Sequence, residues 1–390
     1  MVSDYKKYLW EEYKYDITSY DGLTIDETHS TSSYVPDKVL LYLKEHGIMY
    51  PRIHDGVITR SFEPGVLADT YTYMVKCKKL FVYVVDKIEA NWYSLEHHVK
   101  LHDLCEISGV PADKIVHISN DIKTEVIYDN WFKNQSKYKV KINMLCYPFI
   151  LHNMGHLYKV KFPKYRIQRY KDREKLPTKK FMCLMGKQNW SRDNLWNYFL
   201  NNQGVKNDGI ISYLAKGDVL PNSWSVNSSA ENILRGDSNS KNDNLESYYD
   251  DSYFSIIPET PTGVFITEKT TKVLYHGHPF IMFNLVDEAS DLDSETITVG
   301  ALKQLRDWGF ETFPELFDES YDELPCSDKK LRLENLINNI DRLNKMKHEE
   351  GYKLCDSVYE KCVHNQKTLL DLKIPGEELL GKLKNIVEKY

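Results

Sequence analysis

Short runs of β-branched, aromatic and other apolar residues alternate with helical stretches twice along this chain. That rhythm limits the folds open to it more than any other feature. In the first series KKLFVYVVD (78–86), DKIVHISND (113–121) and KINMLCYPFI (141–150) read as buried parallel strands. Between them EANWYSLEHHVKLHDLCEISG has helical apolar spacing and a glycine stop, and TEVIYDNWFK reads as a short helix. This β-α-β-α-β order predicts a doubly wound sheet.

The pattern then restarts. KFMCLMG (180–186), GIISYL (209–214), SYFSIIPE (252–259) and HPFIMF (278–283) read as strands. SRDNLWNYFLNNQG reads as a helix capped by Ser191 and stopped by Gly204, and FITEKTTKVLYHG as a helix with its entry. ALKQLRDWGF (301–310) reads as a helix ending at Gly309, and the stretch 329–372 is helical by its Ile/Leu periodicity. The Asn-, Ser- and Asp-rich segment 221–251 reads as a surface excursion.

At 390 residues the chain exceeds one ordinary core, so two domains are expected. PKYRIQRYKDREKLPTKK (163–180) is basic, holds two prolines and lacks apolar periodicity, which marks an interdomain linker. The expected organisation is an N-terminal Rossmann-like domain (1–165), a linker (166–179), a C-terminal Rossmann-like domain (180–345) and a helical tail (346–390). The fold class is α/β, with the two domains facing each other across a cleft. The tail either crosses back onto the N-terminal domain or binds a partner. Ligands of open α/β sheets sit at the carboxyl ends of strands, so the residues that follow strands are the candidates.

Composition narrows the setting. Apolar residues make up 42% and charged residues 28%, the balance of a soluble globular protein. The net charge of −6 offers no global attraction to nucleic acid or anionic membrane, although a local basic groove remains open. Seven scattered cysteines without a CxxC pair indicate reduced thiols in a cytosol-like compartment. The charged, aromatic start MVSDYKKYLWEEYKYD is no signal peptide, and no apolar run is long enough to span a membrane. A cytoplasmic location is expected. The 28 tyrosines suit contacts with sugars or bases.

Two turns carry chemistry. GKQNWSRDN (186–194) is a strand–loop–helix turn without a Walker A or GxGxxG pattern, yet its free helix amides beside Lys187 and Arg192 form an anion site. The plainer reading is a capped helix with solvated charges. In the second turn Thr267 caps a helix through its hydroxyl. Lys269 stands in the first turn of that helix, against the dipole's preference, which makes sense when a phosphate lies between it and the amides. Lys272, three residues on, is either a second contact or a solvated lysine.

FITEKTTKVLYHGHPFI resembles the donor-binding signature of fucosyltransferase-like glycosyltransferases, a Tyr/Phe-x-Thr-Glu-Lys motif followed by a helix, Gly-x-Pro and a strand. A phage and large-virus glycosyltransferase group is closer still. It is similar in FMCLMGKQNWSRDN, in ETPTGVFITEKTTKVLYHGHPFI and in LRDWGFETFPELFDESYDE, in that order, over about 180–345. The resemblance implies a GT-B fold and transfer of a sugar from a nucleotide-diphosphate donor, a UDP- or GDP-sugar serving as co-substrate. It assigns Lys269 and Arg192 to the diphosphate, Glu259 to the donor sugar or ribose, and Glu268 to the ribose or the turn. The family's Asn and Ser after the first Glu are replaced here by Thr260-Pro261-Thr262, which leaves the sugar open.

Developing charge on the departing diphosphate calls for cations and helix amides. No Asp-x-Asp loop follows a strand; DLD (291–293) lies in an acidic surface-like stretch, so a metal-independent mechanism with no cofactor is expected. An inverting reaction also needs a base for the acceptor hydroxyl. Glu89 is the first choice, Asp86 the second, and Glu96 or His97 the third. Trp92 and Tyr93 stack on the acceptor or pack in the core, and His54-Asp55 is a further polar pair. His276 and His278 read as packing or donor-pocket residues. Trp308 and Phe310 read as core, and Tyr321, Asp322 and Glu323 as surface. The resemblance to the phage group makes a hydroxylated base in phage-type DNA one candidate acceptor, with KYKVKIN (137–143) and the basic linker lining a groove, and a glycan or lipopolysaccharide the rival. A different class, a non-catalytic nucleotide or carbohydrate-binding module, predicts that the acids can be changed without loss of activity.

Overall fold

The computed structural model describes residues 36–46, 81–85, 98–99, 102–103, 105–106, 111–134, 136–161, 167–186, 188–218, 246–259, 264–283 and 298–389. The first elements are helix α1 (Asp37–Glu45), strands β1 (Phe81–Val85) and β2 (Ile115–Ser119), helix α2 (Thr124–Asn134), strand β3 (Asn143–Cys146) and helix α3 (Phe149–Lys161). Next come strand β4 (Lys179–Met185), helices α4 (Trp190–Asn201) and α5 (Gln203–Asp208), strand β5 (Gly209–Tyr213), helix α6 (Glu246–Asp250) and strand β6 (Ser252–Pro258). Helix α7 (Glu268–His276), strand β7 (Phe280–Phe283) and helices α8 (Ala301–Asp307), α9 (Lys329–Lys345), α10 (His348–Ser357), α11 (Tyr359–Asp371) and α12 (Lys373–Val387) complete the chain. Two compact units result: Met1–Phe149 with Lys373–Tyr390, and Ile150–Leu372. Each is mixed α/β with a parallel sheet, compatible with a Rossmann-like fold.

In the first unit β1, β2 and β3 lie side by side in that order, all parallel. All five residues of β2 are buried, as a central strand covered on both faces requires. Helix α12 joins this core, with Leu379, Leu383 and Ile386 clustering with Val39, Tyr42, Val116, Ile118, Leu145 and Tyr147. Lys382 Nζ adds an ion pair to Glu125 Oε1 at 2.9 Å. The strand expected over 141–150 is shorter: β3 stops at Cys146 and Phe149 already opens α3. Pro148 between them has no amide to give a ladder.

The second unit holds a four-stranded parallel sheet in the order β5-β4-β6-β7. Every residue of β6 and β7 is buried. Two expected helix boundaries move. Asn189, not Ser191, caps α4, because its side chain reaches the Arg192 amide while the Ser191 hydroxyl donates to Asn189 Oδ1 at 2.6 Å. Gly204 does not end the helix; α4 stops at Asn201 and Gly204 lies inside the short α5. Gly277 does end α7, at φ 70°, where a side chain would collide with Ile167.

The basic stretch read as a linker lies, over residues 167–179, within the second unit. Its Tyr170 is buried, donating its hydroxyl to the Tyr253 carbonyl at 2.7 Å and its amide to Asp356 Oδ1 at 2.9 Å. One aromatic anchor holds a segment whose charge alone suggests solvation. Trp308 and Phe310 are buried, as expected of core residues. Tyr321 and Asp322 are buried as well, contrary to the surface reading. Asp322 accepts from the Leu302 and Lys303 amides at 3.0 and 2.9 Å, so it caps α8 from a distance of about 20 residues along the chain. The helical stretch 329–372 breaks into α9, α10 and α11, and Leu372 leaves it at φ 41°. The six described cysteines are free thiols. No helix among the described residues is long and apolar enough to cross a membrane.

Candidate functional site

Strands β4 and β6 are parallel neighbours in register, with Cys183 opposite Ile256. Their carboxyl ends therefore open on one edge, and each leads toward a helix N-terminus on the same edge. Five of the expected site residues meet there.

From the first turn comes Arg192, 4% exposed, in the opening turn of α4. Its Nη2 donates to the Pro258 carbonyl at 3.1 Å and the Glu259 carbonyl at 3.5 Å. The guanidinium thus grips the end of the neighbouring strand across 66 residues of sequence. Burial draws its pKa down while Glu259 and Glu268 oppose that fall.

From the second turn comes a tighter arrangement. Glu259, 1% exposed, directs both carboxylate oxygens to the start of α7. Oε1 accepts from the Thr267 amide at 3.0 Å and the Thr270 hydroxyl at 2.5 Å, and Oε2 accepts from the Thr267 hydroxyl at 2.5 Å. Thr267 caps α7 as expected, its Oγ1 accepting from the Lys269 amide. The carboxylate of Glu259 is therefore engaged with the start of α7. Placing an acid at a helix N-terminus also suits the dipole.

Beyond this clamp Lys269 Nζ pairs with Glu268 Oε1 at 2.9 Å, the two side chains being 23% and 17% exposed. Burial pushes Glu268 up, yet Lys269 and Lys272 outweigh it and hold its pKa at about 2. Burial draws the buried Lys272 down to about 8, with Glu268 opposing the shift. Three cations (Arg192, Lys269, Lys272) thus stand with two carboxylates (Glu259, Glu268) at one helix N-terminus. Such a balance receives an anion more readily than a cation.

A neighbouring network went unread in the sequence. Asp193 accepts from the Tyr213 hydroxyl at 3.0 Å and from Gln188 Nε2 at 2.9 Å, with Lys216 Nζ at 3.4 Å. It ties the ends of β4 and β5 together. Thr270 was likewise missed, although its place three residues after Thr267 puts both hydroxyls on one side of the helix.

Lys187, Glu89 and Asp86 lie outside the described residues, as do Glu96, His97, Trp92, Tyr93, the His54-Asp55 pair and the DLD stretch. His276 and His278 take packing positions. His278 bonds Ser255 Oγ at 3.0 Å and the Tyr249 carbonyl at 2.6 Å, and His276 stacks on the Tyr249 ring at 4.2 Å. Among the described residues no group of three or more His, Cys, Asp or Glu could hold a metal ion.

The histidines have a measurable consequence. Burial holds His276 and His278 at about 3, against 6.5 for the free side chain. The unfolded chain binds protons below 6.5 and the folded chain does not, so stability falls as pH drops from 6.5 toward 3. Each histidine contributes up to about 1.4 kcal/mol per pH unit. Urea midpoints at pH 7, 5.5 and 4.5 will fall in that order, and His278→Asn will flatten the slope; an unchanged slope refutes this origin.

No protein-family model, curated protein or solved structure matches this chain.

Proposed function

We propose that this chain is a GT-B glycosyltransferase, moving a sugar from a UDP- or GDP-sugar to a hydroxyl acceptor by an inverting, metal-independent route. The observation that carries the reading is the convergence of Arg192 and the Thr267–Lys269 turn at the ends of β4 and β6, around Glu259. In the reaction the bond from sugar C1 to the diphosphate oxygen breaks, and a bond from C1 to the acceptor oxygen forms. The departing diphosphate takes the electron pair, and Lys269 with the α7 amides stabilises that charge. The acceptor proton passes to a carboxylate, with Glu89 the first candidate and Asp86 the second. Glu259 positions the turn that carries Lys269. The acceptor is a hydroxylated base in DNA or a hydroxyl of a glycan.

Incubation with a panel of radiolabelled UDP- and GDP-sugars tests this directly. Release of labelled sugar, by hydrolysis or by transfer, is the expected result for at least one donor. Tight binding of a donor with no turnover points instead to a nucleotide-binding module, and neither binding nor turnover with any donor rejects the reading.

A further inference from the structure

The opposite edge of the second sheet carries a separate cleft. It lies where β4 and β6 begin, and the Lys179 amide bonds the Asp251 carbonyl at 3.0 Å beneath it. The cleft has a volume of about 590 Å³, within the range of small-ligand sites. Leu176, Pro177, Tyr253, His348, Glu349 and Tyr352 line it. None of them belongs to the anion site.

Its hydrogen bonding is polarised. The Tyr253 hydroxyl donates its one proton to the Pro177 carbonyl at 3.1 Å. Burial raises that phenol to about 12, so it keeps the proton at neutral pH. His348 Nδ1, 3.1 Å from the same hydroxyl, must then be the donor to it. In the neutral imidazole this leaves Nε2 as an acceptor. Glu349 adds acceptor oxygens at the rim, but its charge is already paired with Lys353 at 2.7 Å. The remaining lining is two tyrosine rings, a leucine, a proline and Thr178, whose hydroxyl donates to Asp251 Oδ2 at 2.8 Å. A cleft with ring faces, acceptors and no unbalanced charge suits a ligand that has apolar CH faces and many hydroxyl donors.

We propose that this cleft binds a neutral pyranose unit, with ring CH groups against Tyr352 and hydroxyls donating to His348 Nε2 and Glu349. The site is independent of the transferase reading and at the other end of the sheet. A binding module and an enzyme with a polymeric acceptor would both use it.

Saturation-transfer difference NMR with methyl α-glucopyranoside, methyl β-galactopyranoside and N-acetylglucosamine tests the proposal on the full chain. At least one will show enhancement at its ring CH protons. Tyr352→Ala and His348→Ala will each weaken binding by about tenfold. Both positions are on the surface of α10, and a retained near-ultraviolet circular dichroism spectrum verifies the fold. Lys269→Ala will leave the signal unchanged. No enhancement with any sugar overturns the proposal. So does a signal lost in Lys269→Ala but kept in Tyr352→Ala, which would put the sugar at the anion site. Displacement of the bound sugar is not expected with tetramethylammonium; if that cation binds the cleft instead of the sugars, the neutral-ligand assignment fails.

Discussion

Replacing Lys269 with alanine will lower nucleotide-sugar turnover by about 10²- to 10³-fold and leave the fold intact. The magnitude is that of deleting one preorganised charge from a site where negative charge develops. Lys269 is the residue to test because it is the most accessible of the three cations, with 23% of its side chain exposed. Its loss takes the direct partner of Glu268 but leaves Lys272, which also lowers the pKa of that carboxyl. The stability cost is therefore moderate, about 1–3 kcal/mol. Arg192 is a poorer probe: it is buried and bonded to the Pro258 carbonyl, so its removal disturbs the end of β6 as well as the charge. Steady-state rates of sugar release, with circular dichroism as the check on folding, decide the matter. A Lys269→Ala protein that works at the wild-type rate removes the diphosphate from this site.

Glu259→Ala should have the largest effect on stability. The carboxylate is 1% exposed and serves the Thr267 amide and the hydroxyls of Thr267 and Thr270. Alanine strands those donors in the interior and takes a counter-charge from Arg192. Loss of one partner from such a buried, charged network costs about 3–5 kcal/mol. In a unit of this size that lowers the melting temperature by about 10 °C. Glu259→Gln keeps one accepting oxygen and turns an NH₂ toward a donor, so it falls between. Thermal unfolding followed by circular dichroism measures both. A drop of less than about 1 kcal/mol for Glu259→Ala would show that other contacts hold the α7 turn.

Together the two substitutions separate roles that lie eleven residues or fewer apart. Lys269→Ala should affect turnover far more than melting. Glu259→Ala should affect both, because misplacing the helix start misplaces the cation. The same logic explains why the acid after β6 looked like a ligand residue. Glu259 follows a strand and precedes a Thr-Glu-Lys turn, the position a donor contact would take. Its partners, Thr267 and Thr270, become visible only in the folded chain.

Much of the molecule was legible before folding. The seven strands among the described residues follow from apolar runs, of which β2, β6 and β7 are buried throughout, and α7 follows from its Thr cap and Gly stop. These are local properties, decided by side-chain periodicity and by hydrogen bonds spanning a few residues. Caps were legible less finely: Asn189 is the extended residue just before the helix and caps its third amide, while Ser191 already lies inside the first turn.

What only the tertiary structure decided is neighbourhood. The order β5-β4-β6-β7 sets β4 beside β6 and so brings Arg192 to the Pro258 carbonyl. The return of α12 to the first unit, the burial of Asp322 and the anchoring of Tyr170 are of the same kind. Each depends on partners tens to hundreds of residues away, and the free energy of burying them is shared among contacts that no short window of sequence contains.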